Sequence, residues 1–499
     1  MNGVPIGGHF WLEEFPEPRI RGQFTAELGE KVELTLEGGL PTGLVGRDAP
    51  APVPAPNPGD LAGIMRAAAA GSVARSRPFT VFGQFDTGEP VSIFGAVDFA
   101  GSGAPHYVAP FAVLGANVTL DQPYGVVRFR LDHPHRLSHL ADNDSSVVED
   151  DGSRLSVEAS EEGNWLVYTP TAPATLTLLE MRVISSCLAL AQIALFPEPD
   201  PERNLRARDT QLRIDSASPW LTVRGPQFCA PPSSNLYLDT LLPDTELTVE
   251  RFAKWIEVND NFDGLAWAVA RRMNVPIQLQ VQLLTSLVEG FHLRLTPPHE
   301  QTRLPDATTA ALKRVREAAA QAATDEAERQ GLDPDLVGTN VWNALGQLGN
   351  KSYLERAEDV IAMVHAAVPE VGVSITRLAS HLRDSRITFA HQLRPKKGPL
   401  QDRYDRWMVL SMVTPWLLRA RLLLEVGVDP QVLREKYLVN ELFTLRRAQS
   451  EIRVRKLGWD KPPEKTSGQR KWTPTVKAEI QPLTSFALIR ELIRSVCGR

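Results

Sequence analysis

A change of hydrophobic period near residue 240 limits the folds open to this chain. Before it, apolar residues recur at every second position. In KVELTLEGGL, Val32, Leu34 and Leu36 point one way while Glu33, Thr35 and Glu37 point the other. That is the pattern of a half-buried strand. FTVFGQF, PVSIFGAVDF, GVVRFRLD, SRLSVEAS, NWLVYTP and ATLTLLEMRVIS extend the series of expected strands. In FDTGEP, Gly88 is placed to take a positive φ in a hairpin turn. Many short strands without helices between them predict a sandwich or barrel, and the β region is expected to be sandwich-like. The segment Asp48–Asp60 carries proline at every second position from Pro50 to Pro58, which excludes it from a central strand and predicts a stiff surface loop.

After residue 240 the spacing becomes helical. Phe252, Trp255 and Ile256 fall at i, i+3 and i+4, and Ile277, Val281, Leu284, Val288, Phe291 and Leu295 alternate steps of four and three. TTAALKRVREAAAQAATDEAER reads as an exposed helix packed on one face. YDRWMVLSMVTPWLLRARLLLEVGVD reads as a central helix, kinked by Pro415 and capped by Gly427. The expected fold is therefore α+β and multidomain. Residues 1–240 form a β-rich N-terminal domain, 241–460 an all-α domain and 461–499 a basic extension with a terminal helix.

The 499 residues exceed one ordinary core. A net charge of −6 argues against wholesale coating of nucleic acid but leaves room for a local basic site. Cys187, Cys229 and Cys497 are widely spaced and odd in number, so neither a disulfide framework nor a cysteine zinc site is expected, and a reducing cytoplasm is the expected location. The start MNGVPIGGHFWLEEFPEP lacks a basic residue followed by an apolar run, so no secretory leader is expected. No stretch reaches 18 uncharged apolar residues, so no membrane span is expected. His133, His135 and His139 beside Asp132 read as a polar loop broken by Pro134, not as a metal site. No metal or other cofactor is expected. Trp165 and Trp220 read as core, with a ligand platform as the alternative.

The stretch SHLRDSRITFAHQLRPKKG concentrates chemistry. Arg386 and His391 are five residues apart, offset by about 140° on a regular helix, so they converge only if the helix ends or bends or a second copy supplies the partner. A histidine exchanges protons near neutral pH and an arginine fork matches phosphate oxygens; together they suit RNA strand scission without a metal. The plainer reading is a helix end, with Arg386 in an ion pair and His391 capping carbonyls. Arg394, Lys396 and Lys397 follow as candidate contacts to an RNA backbone. The segment Arg446–Lys477 carries ten Lys/Arg against three Asp/Glu, with Trp459 and Trp472, and reads as either a nucleic-acid grip or a solvated segment.

Taken together, these motifs resemble the ApeA-like HEPN proteins, bacterial proteins implicated in abortive defence against phage. GHFWLEEFPEPRIRGQFTAELGEKVELTLEG resembles the start of their N-terminal domain. LLTSLVEGFHLRL resembles their early HEPN helix, with Glu289, Phe291 and His292 at the acidic, aromatic and histidine positions. HLRDSRITFAHQL falls where the family carries Arg-x4–6-His, and LLLEVGVD resembles the late helix and its glycine stop. The resemblance implies an up-and-down helical bundle that dimerises, or assembles further, and brings two motifs into one cleft. It implies a metal-independent endoribonuclease acting on RNA such as tRNA, a phage-derived trigger and no membrane partner. It makes Arg386 and His391 catalytic, with Arg383, Asp384, Glu289 and His292 as site neighbours. Ile387 departs from the polar residue, often Asn, that usually follows the motif arginine. The alternative is a non-catalytic HEPN dimer that binds RNA or a protein, with the β domain sensing a ligand.

Overall fold

The computed structural model describes residues 3–41, 78–98, 104–196, 205–231, 240–262, 264–270, 275–388 and 399–461. The proline-rich Asp48–Asp60 segment, Cys497 and Trp472 lie outside the described residues. Broadly the chain is α+β, an antiparallel sheet region followed by a helical region.

The first strands are β1 (Ile6–Leu12), β2 (Phe15–Ala26), β3 (Val32–Leu36), β4 (Phe79–Phe85), β5 (Pro90–Asp98) and β6 (His106–Ala109). In β3 the alternation does what the sequence predicts: Val32, Leu34 and Leu36 are buried while Glu33 and Thr35 face solvent. The antiparallel pairings run β5–β4–β1–β2–β3–β6, and β6 pairs back onto β5, so the six strands close a ring. Phe10, Phe24, Leu34, Val81, Ile93 and Tyr107 fill it. Closure depends on β5 changing partners. Residues 91–94 pair with β7 (Phe111–Leu114), and residues 97–98 pair with β6. Gly95 stands between them at φ +67°, a conformation side chains rarely adopt, and a Cβ there would sit 3.1 Å from the Pro110 ring.

From β7 the same sheet continues through β15 (Leu221–Arg224), β14 (Ala207–Arg213), β9 (Val126–Leu131), β12 (Trp165–Thr169), β11 (Arg154–Glu158) and β10 (Ser145–Val147). A separate small pair joins β8 (Pro123–Tyr124) to β13 (Ala174–Thr175). The β region is thus one continuous sheet, part closed ring and part open extension. Of the two expected arrangements, the first six strands follow the barrel; the pair of facing sheets that a sandwich implies does not form, because a helix covers the open part.

That helix, α1 (Leu176–Leu195), overturns the strand expected for ATLTLLEMRVIS. Leu176, Leu179, Val183, Ile184 and Cys187 are buried at helical spacing, while Thr177, Leu178 and Met181 are exposed. The Thr175 hydroxyl caps the start by accepting from the Leu178 N–H, and the helix widens to a π turn over Glu180–Ile184. From Ser186 to Leu195 every residue is buried, so its apolar run carries no single-face signal for a sequence reading to find.

The helical region comprises α2 (Val249–Asp260), α3 (Trp267–Ala270), α4 (Ile277–Leu295), α5 (Thr309–Arg329), α6 (Pro334–Ala344), α7 (Tyr353–Ala367), α8 (Leu378–Ile387), α9 (Leu400–Glu425), α10 (Pro430–Val439) and α11 (Glu441–Leu457). The predicted stripe on α4 is buried at Val281, Leu284, Val288 and Phe291. Helix α9 runs on through Pro415 and packs against α1, α4, α7 and α11, and Gly427 (φ +83°) follows its end. Helices α5 and α6 form a hairpin that packs mainly on itself; Arg316 stacks over Trp342 at 3.9 Å. The larger buried cluster runs unbroken from the open sheet through α1 into α4, α7, α9 and α11, across residue 240. Arg419 of α9 spans that junction. It is 1% exposed and donates to the carbonyls of Ile193 (2.9 Å) and Phe196 (3.1 Å) at the end of α1. Burial pushes its pKa down to about 10.

By length and composition Leu176–Leu195 and Leu400–Glu425 are apolar enough to cross a membrane, and 72% of each apolar window is buried inside this fold. Cys187 and Cys229 are buried free thiols. Among the described residues no group of three or more His, Cys, Asp or Glu is arranged to hold a metal ion.

Candidate active site

The site candidates converge where α4, α7 and α8 meet. On α4, Phe291 turns into the core and meets the Phe262 ring at 4.7 Å. Glu289 and His292, a turn apart on the other flank, turn toward α7 and α8. Glu289 is a bridging carboxylate. Its Oε2 forms an ion pair with Arg386 Nη2 of α8 at 2.6 Å, and its Oε1 accepts from Arg356 Nη1 of α7 at 2.7 Å. The Glu289 side chain is 17% exposed and Arg356 12%, whereas Arg386 keeps 32% of its surface in solvent. The Arg386 guanidinium also lies 5.0 Å from the Tyr353 ring. Tyr353 donates its hydroxyl to the Thr285 carbonyl at 2.8 Å. Burial holds the Tyr353 phenol protonated, well above its ordinary pKa.

His292 belongs to a second polar set beside the first. Its Nε2 stands 2.8 Å from Asp359 Oδ2, which also accepts from Lys351 Nζ at 2.7 Å. Burial lowers the His292 pKa against the raising effect of Asp359, so the neutral ring predominates at neutral pH. A carboxylate only accepts, so Nε2 carries the hydrogen. The His292 side chain is 0% exposed and touches no solvent. It is a positioning residue for α4 and α7 and does not line an open surface.

Helix α8 divides its faces. Leu378, Ala379 and Leu382 are buried and Arg386 points toward Glu289. His381, Asp384, Ser385 and Thr388, at i, i+3, i+4 and i+7, line a small recess on the side of α9. Arg383 pairs with Asp384 next to it, Nη2 to Oδ1 at 3.0 Å. His391, Arg394, Lys396 and Lys397 lie outside the described residues, so the Arg386–His391 relation is not among the observed contacts.

Sequence reading singled out Glu289 and Arg386 but not what surrounds them. Tyr353, Arg356 and Asp359 stand about 67 residues from their partners on α4, and Lys351 joins them through Asp359. A local signal existed: the Ser352–Glu355 capping box starts α7 and sets Tyr353, Arg356 and Asp359 at steps of three on one face. In the basic segment, Trp459 is 8% exposed and stacks on His381 at 3.6 Å, so it is a packing residue and not an open platform for bases. In the β region, Trp165 is 7% exposed, and Arg128 lies between it (4.6 Å) and Trp220 (4.0 Å). Compared with protein-family models, curated proteins and solved structures, the chain matches none of them.

Proposed function

We propose that the helical region is an HEPN-type endoribonuclease, metal-independent and acting in abortive anti-phage defence, with RNA cut in the cleft of a homodimer. The reading rests on Arg386. Its fork is oriented by Glu289 on one nitrogen and backed by the Tyr353 ring, and about a third of the side chain remains open to solvent. An arginine offers five N–H donors, and a single carboxylate contact leaves most of them for phosphate oxygens. In the proposed step His391 takes the 2′-hydroxyl proton. The 2′-oxygen attacks phosphorus, Arg386 stabilises the charge on the phosphorane, and the 5′-oxygen leaves after gaining a proton from the conjugate acid. The products are a 2′,3′-cyclic phosphate and a 5′-hydroxyl. The β region takes the sensing role toward a phage-derived trigger.

The test is cleavage of bulk tRNA and a mixed-sequence transcript in EDTA by the wild-type chain, His391→Ala and Arg386→Ala. Both variants lose cleavage on this reading. Parental rates in either one refute the mechanism.

A second reading, a dimer that binds RNA or a protein without cutting, is favoured by one observation. Glu289 already engages Arg386, sharing its one charge between Arg386 and Arg356, and the apolar Ile387 follows the motif arginine. Wild-type protein that binds RNA tightly and leaves it intact after trigger exposure decides for that reading.

A further inference from the structure

The arginines of α8 are already paired: Arg386 with Glu289 and Arg383 with Asp384. Across the recess, on α9, lies positive charge that no described carboxylate pairs with. Arg403 and Arg406 line it beside Trp407, opposite Asp384, Ser385 and Thr388. Among the described residues no carboxylate forms an ion pair with either arginine, whereas Asp384, the one acid of the lining, has Arg383 against it. The Arg403 Nε is buried and has no hydrogen-bond acceptor among the described residues. Buried N–H donors are almost always satisfied, and the described residues leave this one open to an incoming acceptor. The Ser385 hydroxyl adds a further donor on the facing wall. The recess is a cavity of about 60 Å³ that opens to solvent, so a phosphate group on a strand can reach the arginines.

We infer that the recess between α8 and α9 is a phosphate subsite for single-stranded RNA, with Arg403 and Arg406 as its cationic ligands and Ser385 as a hydroxyl donor. The polymer's identity rests on the ribonuclease reading above. Arg386 and Ser385 are neighbours on α8 but point to different sides of it, one toward Glu289 and the other into the recess. The subsite therefore holds a phosphate flanking the one at Arg386. It fixes the register of the strand and takes no part in bond breaking. A guanidinium pair that no described carboxylate engages in an ion pair leaves its donors open for planar, multidentate phosphate recognition.

The experiment uses the full chain carrying His391→Ala, so that RNA stays intact, and a fluorescein-labelled single-stranded RNA read by anisotropy across KCl concentrations. Adding Arg403→Gln and Arg406→Gln is expected to weaken binding at least about tenfold at moderate salt. It should also flatten the logarithmic salt slope by about 1.4, the value for two lost contacts to a single strand. The Arg403→Lys/Arg406→Lys pair keeps the slope and loses part of the affinity, which separates lost charge from lost folding. Unchanged affinity and slope in the glutamine pair overturn the subsite. So does an equal loss from Arg314→Gln/Arg329→Gln on the distant hairpin, or equal competition by polyglutamate. The nuclease reading fails separately: if wild-type protein leaves RNA uncut while the glutamine pair still loses binding, the subsite stands and the cleavage mechanism does not.

Discussion

Replacing Glu289 by glutamine keeps the side chain's size and removes the charge that holds two arginines. The two contacts are unequal. Arg356 is 12% exposed, its Nε is already buried without an acceptor among the described residues, and Glu289 is its ion-pair partner at 2.7 Å. A hydrogen bond to a charged group contributes about 1.5–3 kcal/mol, and stranding a buried charge costs toward or beyond the upper end. Arg386 is about a third exposed, so water compensates it and its share falls to about 0.5–1 kcal/mol. Glu289→Gln is therefore expected to lower unfolding stability by about 2–4 kcal/mol, most of it through Arg356. Urea denaturation of the wild type, the three single variants (Glu289→Gln, Arg356→Gln, Arg386→Gln) and the two doubles gives both coupling energies. The Glu289–Arg356 coupling should exceed the Glu289–Arg386 coupling. Arg386→Gln alone should cost less than about 1 kcal/mol while abolishing RNA cleavage. A loss below about 0.5 kcal/mol for Glu289→Gln, or the reverse order of couplings, refutes the view that this carboxylate positions Arg386 from a buried anchor on α7.

Three further perturbations read other parts of the fold. Burial lowers the His381 pKa to about 4, so its native ring is neutral where the unfolded one is charged. Its contribution is complete above the unfolded value near 6.5 and is lost as pH falls through about 4, on the order of 1 kcal/mol after allowing for its partial exposure; His381→Phe should flatten that segment of the stability–pH curve. Arg419→Ala strands the Ile193 and Phe196 carbonyls and opens a cavity between α1 and α9, and should cost about 3–5 kcal/mol in urea unfolding. Gly95→Ala forces a Cβ onto φ +67° against Pro110, and should lower the thermal midpoint by an amount equivalent to about 1–3 kcal/mol.

The outline of the fold was legible because period alone separates its two regions. The alternation in β3 and the four-three stripe of α4 both report one buried face, and both appear in the structure as read. The misreadings came where that signal fails. In α1 a helix buried on all sides shows no preferred face, and a start of TLTL mimics alternation. The closing of the ring was invisible for another reason. It turns on β5 exchanging β7 for β6 at Gly95, a long-range pairing that no local window of sequence encodes.

The site shows the same division between what is local and what is assembled. Arg386 and Glu289 were found by motif, but the motif gives no sense of which charges are already spent. Only packing shows that Glu289 answers Arg386 and that Asp384 answers Arg383, so that α8, the helix with the conspicuous basic run, contributes little unbalanced charge among its described residues. Arg403 and Arg406 sit in an ordinary-looking stretch, LQDRYDRW, in which Asp402 and Asp405 seem to neutralise them. In the fold Asp405 is buried and pairs with Lys456 and Arg453 of α11, and Asp402 forms no ion pair with either arginine. Counting charges along a sequence treats neighbours as partners, but on a helix i and i+1 point apart. Phosphate recognition depends on the cations left over once every carboxylate has found its partner. Such a remainder follows from tertiary packing, and at this recess it lies on α9, a helix the motif does not touch.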